Sequence, residues 1–356
     1  MKVVLFRAFP DPYRLSMARY ADELQRRVGA YMKAGESIRS ESFPNPRLDG
    51  GWRRYWDQYV GYDRYAPAHA GDVNHVVDHG FGHLVRTLPP RRTIVTFHDA
   101  VVMKIAGVSW RTKMSLRHSL RAMRKAAAIV CVSEYGKKDL LELTDLPQDR
   151  IRVIPWGIDE AFRPPKDREA VRKRLGFNGN VVLMVGHTQG YMNVERMLRA
   201  VATVIAQQGI DLTLVKVGLP FTPEQMRLVA ELELGDRVDF VGRVSDADLP
   251  AYYQAADALL YAPLLAGFGL PPLEAMACGT PVVASNRGAI PEVVGDAALL
   301  ADADDENGLA QALGEVLGNP VRRRRLIDAG FARAGQFEWS RAARQMLELY
   351  RHVGRA

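Results

Sequence analysis

Short runs of apolar residues alternate with longer amphipathic stretches along the whole chain. The apolar runs of the first half are KVVLF, VNHVV, TIVTF and AIVCV; those of the second half are VVLMVG, LTLVKVG, RVDFVG, ALLYA and PVVAS. A parallel strand is covered by helices on both faces, so its sequence is apolar almost throughout. The alternation therefore predicts an α/β protein built from βαβ units.

Two segments of this pattern give more detailed predictions. Residues 16–35, SMARYADELQRRVGAYMKAG, have helical spacing, with Ser16 as the expected N-cap and Gly35 near the expected end. Residues 155–166 are rich in Pro and Gly and end in charged residues, which indicates an interdomain crossing. We expect one doubly wound domain over 1–163 and a second over 164–337, facing each other across a cleft at the carboxyl ends of both sheets.

Composition narrows the class of protein. The 356 residues include only two cysteines, without metal-ligand spacing, so we expect buried thiols in a reducing cytoplasm. The start, MKVVLFRAFP, predicts a buried strand rather than a signal peptide, and no apolar run approaches the roughly 18 residues of a membrane span. Residues 1–163 carry 27 Lys and Arg against 18 Asp and Glu. This excess suggests an acidic acceptor or an anionic membrane surface, with an ordinary arginine-rich surface equally open.

The most specific motif is GFGLPPLEAMACGTPVVAS at residues 267–285. A glycine-rich turn that leads into a helix presents backbone N–H groups and the positive end of the helix dipole, which suits phosphate oxygens. Glu274 lies one turn into the predicted helix, where a carboxylate can accept hydrogen bonds from two neighbouring sugar hydroxyls.

This motif and its flanks resemble the donor-binding half of the retaining family 4 glycosyltransferases. The resemblance covers most of the chain and includes VSEYGKKDLLELTDLPQDRIRVIPWGIDEAF at 132–162 and the whole of 237–305. It implies the GT-B fold, two Rossmann-like domains with a C-terminal helix (338–356) that packs back on the first. It also implies transfer of a hexose from a nucleotide-diphosphate sugar, GDP-mannose or a UDP-sugar, to a glycan or lipid-linked acceptor in polysaccharide biosynthesis. The resemblance implies retention of anomeric configuration and no bound metal or other cofactor.

The resemblance also implies roles for individual residues. Glu274 would bind the donor ribose, and His98, at the end of the TIVTF strand, would contact the transferred sugar or its phosphate. We expect both to be catalytic. The pyrophosphate and the sugar hydroxyls would be held by backbone groups of Gly267, Phe268, Gly269 and Leu270. The base would be held by backbone groups of Arg243 and Val244.

The chain also departs from the family pattern. Ala266 stands where a first glutamate is usual, and the loop after VVLMVG has Tyr191 and Met192 where cations usually meet the diphosphate. His187 and Lys216 are the expected substitutes. These departures leave two alternatives open: a degenerate GT-B protein that binds a ligand or partner without transfer, and a GT-B nucleotide-sugar epimerase.

Three further groups of residues have predicted roles. His75, Asp78, His79 and His83 are expected to line the acceptor side, and the aromatic segment 50–65 to influence acceptor choice. The basic run at 111–125, with apolar contacts from Met114, Leu120 and Met123, would suit anionic lipid or a polyprenyl diphosphate; an ordinary solvated face is the alternative.

Overall fold

A computed structural model describes residues 1–10, 15–48 and 51–355. The chain forms two compact units: Met1–Gly157 together with Trp339–Ala356, and Ile158–Glu338. Each unit contains one six-stranded sheet in which every described strand pair is parallel. The alternation of apolar runs and amphipathic stretches thus correctly predicted the α/β class.

The first unit has a sheet of order β2-β1-β3-β4-β5-β6. Its strands are β1 (Lys2–Phe6), β2 (Ser37–Glu41), β3 (Val73–Val76), β4 (Thr93–Phe97), β5 (Ala128–Cys131) and β6 (Ile151–Val153). Its α-helices are α1 (Leu15–Gly29), α2 (Gly51–Trp56), α3 (Tyr62–Tyr65), α4 (Val101–Lys104), α5 (Trp110–Met123), α6 (Glu134–Leu143) and, from the end of the chain, α15 (Trp339–Arg355). A π-helix spans Asp57–Gly61, and short 3-10 helices span Ala66–His69, His79–Arg86, Pro90–Arg92 and Gln148–Arg150.

The second unit has a sheet of order β12-β11-β10-β7-β8-β9. Its strands are β7 (Asn180–Gly186), β8 (Leu212–Gly218), β9 (Val238–Gly242), β10 (Ala258–Tyr261), β11 (Val282–Ser285) and β12 (Ala298–Ala301). Its α-helices are α7 (Arg168–Leu175), α8 (Val194–Gln208), α9 (Pro223–Glu231), α10 (Leu249–Ala255), α11 (Leu270–Cys278), α12 (Ile290–Val294), α13 (Glu306–Gly318) and α14 (Pro320–Ala334). Short 3-10 helices span Gly190–Met192, Gly235–Arg237 and Gly295–Ala297.

The predicted bounds of the first helix were wrong at both ends. Ser16 lies inside α1 rather than at its N-cap, and the helix ends at Gly29. Gly35 lies beyond it, in a turn with φ of 84°. Residues 31–35 continue the helical spacing of apolar positions, but the chain must turn there to enter β2, so the local pattern overestimates the helix.

The last helix, α15, completes the core of the first unit. Its apolar side, which includes Trp339, Met346 and Tyr350, is buried. The Tyr350 hydroxyl lies 2.7 Å from Nδ1 of His75 on β3, and the Arg351 guanidinium donates to both carboxylate oxygens of Glu36 at 3.0 and 2.7 Å. These contacts fix the end of the chain on a sheet formed hundreds of residues earlier.

No helix among the described residues has the length and apolar character needed to cross a bilayer.

Candidate functional site

The carboxyl edge of the second sheet gathers most of the predicted site residues. The strands β10, β7, β8 and β9 are neighbours in that order and all run parallel, so their carboxyl ends lie along one edge. The chain builds β7, β8 and β9 outward on one side and then places β10 on the other side of β7. This reversal between β7 and β10 is a topological switch point, where open α/β sheets form a crevice for ligands.

The glycine loop lies at that switch point. It leaves β10 and enters α11, whose N-cap Gly269 has φ of 115° and ψ of 55°. A Cβ on Gly269 would lie 2.7 Å from Cδ1 of Ile290, so both backbone conformation and space require glycine there. No side chain of the described residues caps α11, and Pro271 and Pro272 lack N–H groups. Backbone donation at this helix start is therefore confined to the residues before the prolines, 267–270.

Glu274 lies one turn into α11 and is buried, with 4% of its surface exposed. Its Oε2 accepts a hydrogen bond of 2.9 Å from the hydroxyl of Tyr253 on α10, a residue that the sequence analysis did not identify. Burial, and after it the Glu274 charge, raises the pKa of Tyr253 well above its ordinary value. Tyr253 thus stays protonated and positions the carboxylate, which is a fixed acceptor for a hydroxyl-bearing ligand.

His187 follows β7 and is held as a neutral ring. Its Nδ1 accepts from the Gln189 backbone N–H at 3.4 Å, and its Nε2 lies 2.8 Å from the Tyr191 hydroxyl. Burial, and after it the Lys216 ammonium, lowers the pKa of His187 to about 4. A ring that is neutral at pH 7 brings no positive charge of its own, and contact of His187 with a diphosphate stays a prediction.

Lys216 on β8 retains its charge in an enclosed position. Its side chain is fully buried, and Nζ donates to the carbonyl oxygens of Gly186 at 2.6 Å and Val217 at 3.1 Å. Burial lowers the pKa of Lys216 from its ordinary 10.5 to about 8, so the ammonium form predominates at pH 7. Over the described residues Lys216 makes no ion pair with a carboxylate; carbonyl dipoles alone balance its charge.

The loops on the two sides of the switch point are bonded to each other. The Leu264 backbone N–H donates to the Tyr191 carbonyl at 2.8 Å, and the Asn193 side-chain amide donates to the carbonyls of Ala262 and Ala303. Asn193 has φ of 60°, a conformation that Asn tolerates better than most residues. The Ala266 backbone packs against Gly288 and leaves no room for a Cβ there: it would lie 2.5 Å from the Ala266 carbonyl oxygen.

Arg243 and Val244 directly follow β9, the outermost strand on this side of the sheet. Arg243 is exposed and Val244 is half-buried. They lie on the same edge as the glycine loop, separated from it by the ends of β7 and β8.

His98 lies in the first unit, directly after β4, and is buried with 3% of its surface exposed. Its Nε2 lies 2.7 Å from the Val77 carbonyl oxygen, which can only accept, so Nε2 carries the hydrogen. Its Nδ1 has no hydrogen-bond partner among the described residues and is an available acceptor. Burial is the main cause that lowers the pKa of His98 to about 4. His98 is thus a neutral acceptor for a hydroxyl hydrogen, whereas the sequence suggested an imidazole that donates to a phosphate or a sugar hydroxyl.

The other histidines near His98 do not line an open surface, contrary to expectation. His75 and His83 are fully buried. His75 is bonded through Nδ1 to Tyr350 and through Nε2 to Thr96, both at 2.7 Å, and burial lowers its pKa to about 3. Asp78 accepts from the Gly80 N–H and begins the helix His79–Arg86. These residues stabilise the first unit; their spacing along a strand and turn gave no sign of burial.

Within residues 1–10, 15–48 and 51–355, no group of three His, Cys, Asp or Glu side chains converges as metal ligands would. The acidic segment after β12 has other partners: Asp302 and Asp304 contact Arg287, and Asp305 caps α13 by accepting from the Gly308 N–H at 2.9 Å.

Comparison with known proteins shows which protein families this chain resembles. The family model described as Glycosyl transferases group 1 matches residues 167–333, and the Glycosyltransferase Family 4 model matches residues 14–162. The O-antigen chain mannosyltransferase B of Escherichia coli is 29% identical over 277 residues, covering 74% of this chain and 72% of that protein. The MMP alpha-(1->4)-mannosyltransferase of Mycolicibacterium hassiacum is 31% identical over 273 residues, covering 72% of this chain and 64% of that protein. The chain therefore spans less than two thirds of the length of this second relative.

A solved structure of Anabaena HepE, in complex with UDP and glucose, superimposes with a TM-score of 0.79. The match covers 99% of this chain and 100% of HepE at 18% sequence identity. It establishes a shared fold.

Proposed function

Because this chain belongs to the family 4 glycosyltransferases and has their GT-B fold, we propose that it transfers a hexose from a nucleotide-diphosphate sugar to a glycan or lipid-linked acceptor. The relatives named above are mannosyltransferases, and HepE was solved with UDP and glucose, so GDP-mannose and UDP-glucose are the first donors to test. The class of process is glycoconjugate biosynthesis.

One observation carries the proposal: the glycine loop and the carboxylate of Glu274 share the start of α11 at the switch point of the second sheet. Loop N–H groups suit the diphosphate, and the carboxylate suits the ribose hydroxyls. Lys216 supplies a positive charge close to the same edge, from the end of β8. A nucleoside diphosphate has both features, with anionic oxygens at one end and vicinal hydroxyls in the middle.

The proposed reaction retains the anomeric configuration by front-face substitution. The acceptor hydroxyl oxygen forms the new bond to the sugar C1 as the bond from C1 to the diphosphate oxygen breaks. The nucleoside diphosphate leaves with that electron pair, and the hydroxyl proton passes to the departing phosphate oxygen on the same face. Binding and charge stabilisation of the leaving group supply the catalysis, with no protein nucleophile.

Calorimetry with UDP, GDP and ADP tests the ligand class, and release of diphosphate from UDP-glucose and GDP-mannose tests the reaction. We expect one diphosphate to bind more tightly than the others and its sugar to be consumed faster with methyl α-mannoside as test acceptor. No binding to any of the three would contradict the proposal. Conversion of the donor sugar to its epimer without acceptor would assign the chain to the epimerases.

The degenerate alternative is favoured by a specific observation, namely that His187 is neutral and Tyr191 and Met192 replace cations in the same loop. Ala266→Glu separates the two functions, because it restores the acid that family members usually carry. We expect the parent to turn over donor already and Ala266→Glu to change its rate by about tenfold to a hundredfold, since one hydrogen bond to a charged group is worth about 1.5–3 kcal/mol. An inactive parent and an active Ala266→Glu variant would establish degeneracy instead.

We further propose that the Nδ1 atom of His98 accepts a hydrogen bond from a hydroxyl of the sugar. In His98→Gln the amide can still donate to the Val77 carbonyl, but no acceptor remains at the Nδ1 position. We expect kcat/KM for the sugar donor to fall about tenfold to a hundredfold, the cost of leaving a buried hydroxyl unpaired. Affinity for the free nucleoside diphosphate should be unchanged. An equal loss of diphosphate affinity, measured by calorimetry on the same preparation, would contradict this role.

A further inference from the structure

Two helices of the first unit expose large apolar side chains that a folded domain ordinarily covers. On α2 these are Trp52, with 70% of its surface exposed, Tyr55 and Trp56; on α5 they are Trp110, 71% exposed, and Met114. A tryptophan exposes its apolar ring to water at a considerable cost in free energy, so a cluster of them marks a contact surface.

Tyr59, in the π-helix that continues α2, connects α2 to α5. The Tyr59 hydroxyl is hydrogen-bonded to the Ser115 hydroxyl on α5. Its ring meets the ring of His118 edge-on at 5.7 Å and stacks with Tyr55 at 6.3 Å. The aromatic face of α2 therefore ends directly against α5.

The exposed side of α5 is a single stripe next to that junction. Trp110, Met114, Arg117 and Arg121 follow the spacing i, i+4, i+7 and i+11, which places them on one face of a helix. All four are exposed. Leu120 and Met123, which the sequence analysis expected to supply apolar contacts to a lipid, are instead buried in the core of the first unit. The apolar part of the stripe is thus Trp110 and Met114.

The charge along α5 and its flanks is positive. No Asp or Glu occurs between Asp99 and Glu134. The guanidinium of Arg53 lies 5.7 Å from the Trp52 ring, and that of Arg111 lies 5.7 Å from the Trp110 ring. Asp57, which directly follows Trp56, is buried and ion-paired with Arg47. Exposed tryptophan beside arginine is the composition of proteins that insert rings at the headgroup level of an anionic bilayer.

We propose that this aromatic–basic surface (Trp52, Trp56, Trp110, Met114, Arg117 and Arg121) docks on an anionic lipid bilayer. A second copy of the chain is a poorer partner, because a two-fold contact would bring two positively charged surfaces together. A neutral glycan would make no use of the arginines. Docking deepens the proposed function by placing the protein where a lipid-linked acceptor lies, but it requires neither donor nor turnover.

Sedimentation with vesicles, in the absence of any sugar donor, measures the docking. We expect the full chain to bind vesicles of phosphatidylglycerol and phosphatidylcholine at least about tenfold more strongly than phosphatidylcholine alone. Raising the salt concentration from about 0.05 M to about 0.5 M should weaken the binding, because it screens charges at the surface. Equal binding to both vesicles, or no binding to the anionic ones, would overturn the proposal whatever the transferase assay shows.

Paired variants test whether this surface makes the contact. The double variant Arg117→Glu and Arg121→Glu should lower the partition coefficient at least about 25-fold, since each basic residue near the membrane contributes about fivefold. The double variant Trp52→Ser and Trp110→Ser should lower it several-fold while the salt dependence remains.

The matched control reverses two exposed arginines in the second unit, Arg324→Glu and Arg325→Glu, which make the same change in net charge. Vesicle binding should survive in this control. An equal loss in the control, or full binding by the surface variants, would overturn the proposal. So would a wild-type dimer that the surface variants convert to monomers, because a second copy would then occupy the surface.

Discussion

Replacing Glu274 by Gln is expected to lower the affinity for the preferred nucleoside diphosphate about a hundredfold. The substitution keeps the size of the side chain but removes the charge and one acceptor. A carboxylate that receives two ribose hydroxyls makes two hydrogen bonds to a charged group, each worth about 1.5–3 kcal/mol, and part of each survives with the amide. Calorimetry measures the loss directly. Thermal unfolding confirms that the variant is folded.

The sharper readout is the discrimination between ribose and its dideoxy form. Wild type should bind the diphosphate much more tightly than its 2′,3′-dideoxy analogue, whereas Glu274→Gln should bind the two almost equally. Tyr253→Phe, which retains the carboxylate but removes its positioning hydrogen bond, should lose about tenfold. Glu315→Gln, the same chemical change at an exposed position on α13, is the control and should behave as wild type. Undiminished discrimination in Glu274→Gln would exclude the ribose role.

Raising the pH through 8 is expected to weaken donor binding, because Lys216 then loses its proton. Its pKa in the folded protein is about 8. If the buried ammonium attracts the diphosphate, affinity should fall by up to about tenfold per pH unit above that value. Lys216→Met, which keeps the length of the side chain without the charge, should bind weakly and show a flat profile between pH 7 and about pH 9. A wild-type profile equally flat would remove Lys216 from the site.

The depressed pKa of Lys216 also predicts how the free energy of unfolding depends on pH. The pKa of Lys216 is depressed from 10.5 in the unfolded chain to about 8 in the folded one. Between these values the unfolded chain holds more protons, so the free energy of unfolding rises with pH, by about 3 kcal/mol in total. Subtracting the curve of Lys216→Met from that of wild type isolates this rise, and the exposed Lys173→Met is the control. A difference that falls with pH would show that burial does not destabilise the charged form.

The position of a strand in its sheet explains whether the sequence could predict it. The predicted strands include all the interior ones, whose side chains are buried on both faces and therefore apolar. The strands missed were β2, β6 and β12, and all three are edge strands. β2 reads SIRSE, with no fully buried residue, so its sequence resembles a loop. Only its backbone pairing with β1, from Lys2↔Ser37 to Phe6↔Glu41, makes it a strand.

For the site, the residues were predictable, but their protonation and exposure were not. The motif at 267–285 was enough to identify the glycine loop, Glu274 and the family. The conformation of a glycine turn and the start of a helix are set by residues adjacent in sequence, so a short segment contains the whole signal. The positioning hydroxyl of Tyr253 lies 21 residues from Glu274, on another helix, and left no local signal.

The sequence by itself determined the α/β class, the parallel strands of both sheet interiors, the glycine-rich turn before α11 and the family, since apolar spacing and glycine or proline positions act over a few residues. Only the tertiary structure decided that His98 is an acceptor, that His187 is neutral, that Lys216 is a buried cation, and that Trp52 and Trp110 are exposed. Each of these properties depends on a partner or a covering layer supplied from elsewhere in the chain, as when Tyr350 reaches His75 across 275 residues. Which atom carries a proton, and how far a side chain is exposed, depend on all the surrounding atoms. Many of those atoms belong to residues distant in sequence, which come together only when the chain folds.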